Sequence, residues 1–583
     1  MRWASIRGSV TVGEDQPPGP AAPKPRASGC ATLSSGRPKW SMRSSQIGDG
    51  IKLDRDVAVT MRDGIRLMAN VFRPADDRAA PVVMSVTPYG KDATPDWVFM
   101  TLMRLAGVRF GALDCSRWTG FEAPDPVFWV QAGFAVVQAD VRGMHKSEGN
   151  AGVLTEDDAH DYYELIEWAA HQPWSTGRVG LVGVSYLAMS QWRVAALRPP
   201  SLKAIIPWEG VTDLLRELGY QDGVLETRFV GTWWRFRMKR GRNRRYAMAE
   251  DFPRERDARP LDDAWWAGKR PDLEAVDVPA LVCASWSDHG LHTRGTLEGF
   301  ERLGSSEKWL FTHGRRKWET FYSRDARELQ RRFFDRYLKG EANRWDDTPR
   351  VRLEVRESLN KSSTRAEQHW PLPSISYRPL YLDAVTGDLG PEVPIQSGRA
   401  TYRATGTRAS DRASFAHRFA GETELTGSMT LKLWVSTSEG EDLDLFVLLR
   451  KFDRNGHEVC FYGYNGFDKD GVAKGWLRAS HRQTDPARSR PGRPWHTHRQ
   501  RQPLAPGQIE PVEIEVLASS THFETGSILR LDVLGHDAAH YPGFRHRRTV
   551  NRGLHTIHTG GPFDSHLLVP YVIFDNKQVV AAF

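Results

Sequence analysis

Through the first two-thirds of the chain, apolar residues come in short continuous runs that end in turn residues, several of them followed by helical spacing. The runs at 81–86, 134–138, 178–184, 202–206, 280–285 and 309–312 predict strands buried on both faces, and the stretches at 157–170, 186–196 and 326–338 predict helices. Buried strands alternating with helices imply a mostly parallel sheet with helices on both sides. Ahead of them, residues 57–60 and 65–71 flank Arg62-Asp63-Gly64, which reads as a hairpin around a D-G turn. Between 210 and 279 the rhythm is broken by aromatic and charged residues, with Trp233-Trp234 and Trp265-Trp266. This segment is expected to be a helical insertion that covers the carboxyl edge of the sheet. Beyond residue 345, runs at 351–355, 429–435, 443–449, 512–516 and 529–534 are separated by loops rich in Gly, Pro, Asp and Ser. They predict an all-β sandwich or jelly roll.

The expected organisation is therefore a tail at 1–50, an α/β domain built from 51–209 and 280–345, a helical insertion at 210–279, and a β-domain at 346–583. The tail is rich in Pro, Gly, Ser and Ala, as in Pro17-Pro18-Gly19-Pro20, and has no periodicity. It lacks the apolar core of a secretory signal, and Met42 offers an alternative start. It also carries seven Lys/Arg against three Asp/Glu, so half of the net charge of +8 lies in it and the body is nearly balanced. Two basic runs, 239–245 and 488–501, contain between them only Trp495 as an aromatic, too little for a base-stacking platform. They are expected to be solvated loops, with no nucleic-acid partner. No stretch approaches the ~18 apolar residues of a membrane span, so no membrane partner is expected. Cys30, Cys115, Cys283 and Cys460 lie far apart, which fits neither a zinc site nor a disulfide framework. A reducing, cytoplasmic setting follows as the expectation.

The segment that carries chemistry is Gly180-Leu181-Val182-Gly183-Val184-Ser185-Tyr186-Leu187-Ala188. An apolar strand runs into Gly-x-Ser and a helix-forming stretch begins at once, the setting of a nucleophile elbow. The backbone N–H of Tyr186, at the start of that helix, is placed to stabilise a developing oxyanion. A serine needs a base, and the base needs an orienting carboxylate; behind a nucleophile elbow they follow in the order Ser, Asp, His. Asp288 comes just past the strand at 280–285, and His313 ends the next one. His289 and His292 are the competing histidines. They share a turn with Asp288, which is expected to be poorly placed to orient either, so His313 is preferred. No phosphate-binding glycine motif is present, so no nucleotide cofactor is implied, and no metal is expected. His536, His540 and His546 are expected to be solvated loop residues.

The elbow has Leu187 where a second Gly is usual, with Tyr directly after the serine. In this it resembles the G-x-S-Y-x-G elbow of the cocaine esterase, α-amino-acid ester hydrolase and X-prolyl dipeptidyl aminopeptidase family of serine α/β-hydrolases, with Ala188 in place of the last Gly. Met61 to Leu67 is similar to that family's opening hairpin, Thr87-Pro88-Tyr89-Gly90-Lys91 to its Pro-Tyr loop, Asp140-Val141-Arg142-Gly143 to a structural turn, and Trp286-Ser287-Asp288 to its Trp-x-Asp turn. The resemblance implies an α/β-hydrolase domain with a cap, a C-terminal jelly roll, and the Tyr89 hydroxyl as second oxyanion donor. The family's base follows a G-P-W-x-H turn, whereas this chain reads Gly314-Arg315-Arg316-Lys317-Trp318. The expected activity is cofactor-free hydrolysis of a small-molecule acyl ester or amide through an acyl-enzyme. X-prolyl dipeptidyl peptidase activity is the alternative within enzymes, and an inactive binding protein that uses its jelly roll is the alternative outside them.

Overall fold

The computed structural model describes residues 43–574 apart from 49, 95–96, 106, 409 and 539–542. Most of the expected tail, with Cys30, and also His540 therefore lie outside the described residues. Arg43–Gln46, expected to belong to the tail, is instead a strand paired with Ile51–Thr60.

The strands predicted from the apolar runs form one sheet. In hydrogen-bonded order it runs Ile51–Thr60, Arg66–Pro74, Ala135–Asp140, Ala80–Thr87, Ser175–Val184, Leu202–Trp208, Ala280–Ser285, Lys308–His313 and Val351–Ser358. The first two pairings are antiparallel and the remainder parallel. Both faces are covered, because neighbouring residues of one strand enter different cores. Val82 and Met84 pack with Leu165 and Ile166 of the helix Glu156–Ala170, while Val83 packs with Phe333 and Phe334 of Arg324–Phe334. A Thr155–Asp158 capping box starts the first of these helices. The parallel strands all end at one edge, so the loops after Thr87, Val184, Trp208, Ser285 and His313 converge there, where ligands bind in open α/β sheets.

Residues 210–279 form short helices, among them Phe229–Trp233, Phe252–Asp257 and Ala264–Ala267, and a small hairpin of Tyr220–Gln221 with Val224–Leu225. Trp233, Trp234 and Trp266 are buried. The C-terminal region is all-β, as expected. Its pairings close on themselves, running Thr423–Thr437, Glu510–Phe523, Ala473–Arg478, Asp444–Phe452, Ile528–Leu534, Arg412–Arg418, Asp388–Gly390, Ile375–Asp383 and His566–Val572, then back to the first. The result is a barrel around a separate apolar core that includes Leu431, Leu433, Ile514 and Leu531.

Two sequence expectations are corrected in this region. The basic stretch 488–501 is not simply solvated: Arg493, Trp495, His496 and His498 are buried, and Arg493 is paired with Glu298, Glu301 and Glu515. His546 is buried too, with its ring nitrogen 2.7 Å from Asp537. Lys239, Arg240, Arg244 and Arg245 of the other basic run are exposed. No helix among the described residues is long and apolar enough to cross a membrane. Cys115, Cys283 and Cys460 are free thiols.

Val351–Ser358 belongs to both halves of the molecule. It pairs parallel with Lys308–His313 in the parallel sheet and touches Glu510–Phe523 through Arg356 and Thr521. The buried Arg356 guanidinium donates to the Val472 carbonyl at 2.8 Å and to Ser519 Oγ at 2.7 Å, and lies over the Phe461 ring. Arg356→Met keeps much of the volume but removes the donor that both acceptors share, and is expected to cost about 2–4 kcal/mol. A urea unfolding midpoint indistinguishable from wild type would show that the joint does not depend on this charge.

Candidate active site

Ser185 sits between Ser175–Val184 and the helix Tyr186–Ala196 with φ 59° and ψ −116°. That left-handed backbone costs a non-glycine residue of order 1–3 kcal/mol and persists only when the surroundings over-determine it. Here Ser185 N–H donates to the Trp208 carbonyl at 3.1 Å, and the Ser185 carbonyl accepts from Ala188 and Met189. Gly183 is required because a Cβ there would come 2.5 Å from Leu187 Cβ. Ala188 is accommodated by a second glycine: a Cβ on Gly210 would lie 2.9 Å from the Ala188 methyl.

The Ser185 hydroxyl is hydrogen-bonded to His292 Nε2 at 3.1 Å, and His292 Nδ1 faces Asp288 Oδ2 on its other side. Both His292 and Asp288 are buried. The expected partner, His313, does not meet Ser185. Its Nε2 lies 3.0 Å from Glu209 Oε1, and its Nδ1 accepts from Arg315 N–H at 3.3 Å, so both ring nitrogens are committed. Burial pushes His313 down to about 3, with Arg315 adding to the effect. His289 is bound through Nε2 to the Ala518 carbonyl at 2.9 Å. The expectation that Asp288 could not orient a histidine of its own turn is overturned. The N–H groups of Leu291, His292 and Thr293 all reach the Asp288 carbonyl, making one helical turn. In such a turn side chains four residues apart are neighbours. The D-x-x-x-H spacing was the available signal.

Lys317 lies under this pair and has no counterpart in the sequence reading. Its ammonium is 2.6 Å from Asp288 Oδ2, 2.9 Å from His292 Nδ1 and 3.6 Å from Glu209 Oε2, and it lies over the Tyr464 ring. Burial alone would raise Asp288, but Lys317 and His292 outweigh it and hold the carboxyl below its usual range. His292 is shifted down, by burial first and then by Lys317. Glu122, which accepts from the Trp318 indole at 3.2 Å, is pushed up to about 7 by burial despite the pull of Lys317. Glu209, Asp288 and His292 are close enough to hold a metal ion, but the Lys317 ammonium already serves as their cation.

Tyr89 is buried, and its hydroxyl, its ionisation suppressed by that burial, faces the Ser185 side chain and the Trp233 indole. Tyr186 opens its helix, so its N–H is outside the helical ladder, and its hydroxyl accepts from Leu154 N–H. Beside Ser185 is a cavity of about 20 Å³, room for little more than one water, lined by groups that include Tyr89, Met189, Val211, Leu218, Phe229, Trp233 and Leu291. Among the described residues, no carboxylate lines it.

Residues 63–316 match the family model of the X-Pro dipeptidyl-peptidase (S15 family), and residues 343–568 match that of the X-Pro dipeptidyl-peptidase C-terminal non-catalytic domain. A CocE/NonD family hydrolase from Staphylococcus aureus is 41% identical, the match covering 90% of this chain and 94% of that one with a TM-score of 0.84. The cocaine esterase of a Rhodococcus species is 24% identical over 620 residues, 89% of this chain and 98% of the esterase. An α-amino acid ester hydrolase shares the fold at 16% identity and a TM-score of 0.68.

Glu209 is pushed up to about 8, because burial and the Asp288 carboxylate outweigh Lys317. Between the ordinary glutamate value and about 8 the folded protein keeps a proton that the unfolded chain has released, so this group weakens folding as pH rises through that window. Glu209→Gln cannot ionise and is expected to lose less stability than wild type between pH ~5 and ~8. Parallel melting-temperature profiles for the two would mean that Glu209 is already ionised in the fold.

Proposed function

Since the chain belongs to the CocE/NonD and X-Pro dipeptidyl-peptidase (S15) family and is a serine hydrolase acting on ester or peptide bonds, we propose that Ser185, His292 and Asp288 form its catalytic triad. The observation that carries this reading is the unbroken chain from Ser185 Oγ to His292 Nε2 and from His292 Nδ1 to Asp288 Oδ2. His292 takes the serine proton as Ser185 attacks the acyl carbonyl, and Asp288 fixes the tautomer and stabilises the imidazolium. The Tyr186 N–H and the Tyr89 hydroxyl stabilise the oxyanion of the tetrahedral intermediate. Collapse of the intermediate expels the leaving group, protonated by His292, and water activated by the same histidine then releases the acid.

The substrate we infer is an ester with a small, uncharged acyl group. The wall beside Ser185 is apolar and aromatic and carries no carboxylate to receive a free α-ammonium, which argues for esters over X-prolyl peptides. Residues 210–279 act as the cap, placing Trp233 over the nucleophile, and the C-terminal barrel corresponds to the jelly roll implied by the resemblance.

Fluorophosphonate labelling and turnover of p-nitrophenyl acetate test the triad. Ser185→Ala and His292→Ala are each expected to lose nearly all turnover, since triad members act as a unit. His313→Ala should keep catalysis in whatever fraction folds. A dead, well-folded His313→Ala beside an active His292→Ala would overturn the assignment.

The charges facing His292 and Lys317 from the surrounding loops are Asp288, Glu209 and Glu122. Removing the ammonium lets the imidazolium form more easily, so in Lys317→Met the acid limb of kcat/KM is expected to move up by about 1–2 pH units. Lys317→Arg should keep it near the wild-type position. An unshifted limb in Lys317→Met would remove Lys317 from control of the base.

A further inference from the structure

Away from the nucleophile, Asp222, His496 and His498 bring three ligand atoms together. Asp222 lies in the small hairpin of the 210–279 segment, and the two histidines lie in a loop of the C-terminal region. Asp222 Oδ1 is 3.4 Å from His496 Nδ1 and 3.3 Å from His498 Nε2. His496 and His498 are 1% and 2% exposed, and neither of these nitrogens has a hydrogen-bond partner among the described residues.

The opposite ring nitrogens decide the chemistry. His496 Nε2 lies 2.8 Å from the Glu513 carbonyl, an acceptor, so Nε2 is the donor there and Nδ1 is the nitrogen turned to Asp222. His498 Nδ1 lies 3.1 Å from His481 Nδ1, so its other nitrogen, Nε2, is the one that faces the same Asp222 oxygen. A ligating histidine typically donates its other N–H to a carbonyl or similar acceptor, as His496 does here. The spacing also fits: ligands ~2.0–2.1 Å from a tetrahedral zinc stand ~3.3 Å from one another.

We propose that Asp222 Oδ1, His496 Nδ1 and His498 Nε2 bind a divalent transition metal, with zinc the best match to two imidazoles and a carboxylate, and a water completing the tetrahedron. This assigns a metal where the sequence reading expected none. Arg216, a cationic side chain of the same region, is hydrogen-bonded to Asp213 and to the His496 carbonyl, which it reaches at 2.6 Å. The metal is structural. It ties the 210–279 segment to the C-terminal region one residue from Gln221, whose side-chain amide holds the Gly290 carbonyl in the loop between Asp288 and His292.

The test uses the full chain without a histidine tag, loaded with Zn²⁺, desalted and analysed by elemental mass spectrometry. Wild type is expected to retain close to one zinc per chain and to melt lower after chelation, with the melting temperature restored by Zn²⁺. Substitution with Co²⁺ should give the intense visible bands of a tetrahedral site. His496→Gln with His498→Gln should abolish retention while circular dichroism and elution volume stay unchanged. Wild type that retains no zinc and gains no stability from it overturns the proposal, as does a double variant that retains zinc as wild type does. Should the double variant fail to fold, wild-type stoichiometry and the cobalt spectrum still decide the question.

Discussion

Three carboxylates, Asp288, Glu209 and Glu122, are buried at the carboxyl edge of the sheet, and the Lys317 ammonium is the cation they share. One positive charge cannot offset three negative ones out of water, so the carboxyls divide. The one in contact with Lys317 and His292 is held ionised, while Glu122 and Glu209 are pushed towards their neutral forms. That division leaves one fixed negative charge under the imidazole that reaches Ser185. It also accounts for His313, which is bound to Glu209 and belongs to this buried network without facing the nucleophile.

Three members of the cluster are delivered by three different strand ends. Glu209 follows Leu202–Trp208, Asp288 follows Ala280–Ser285, and Lys317 follows Lys308–His313. Glu209 itself has a positive φ of 51°, and its N–H is held by the Cys283 carbonyl. Two consecutive sheet loops, at Ser185 and Glu209, thus carry strained backbone, each fixed by a hydrogen bond to the neighbouring strand. The strain is tolerated because the parallel sheet, buried on both faces, is too well packed to relax around it.

Buried charged contacts join the C-terminal barrel and the 210–279 segment to the catalytic sheet. Arg294, two residues beyond His292, pairs with Glu217 of the insertion and Glu515 of the barrel. Arg356 carries the sheet's last strand into the barrel. Buried pairs of this kind contribute little net stability but penalise any other arrangement, which suits parts that must meet in one register around a reactive serine.

The strands, the helices after them, the D-G hairpin and the elbow at Ser185 were all legible in the sequence, because each depends on local spacing: continuous apolar runs, helical periodicity, and a small residue two positions before the serine. The resemblance carried by Tyr89, Tyr186 and the Trp-x-Asp turn extended this to the family. Which histidine meets Ser185 was only partly legible: the D-x-x-x-H spacing of Asp288 and His292 was present, but it does not say which way the pair faces. The order of strand ends favoured His313, and only the tertiary structure shows Asp288 and His292 on one helical turn with Lys317 beneath them. The burial of 488–501 was hidden for the same reason. A basic loop reads as solvated until acidic partners more than 190 residues away, Glu298 and Glu301 for Arg493, are brought against it. Local patterns report what a segment can bury; the partner of a buried charge is set by contacts between segments far apart in the chain, and only the fold supplies those.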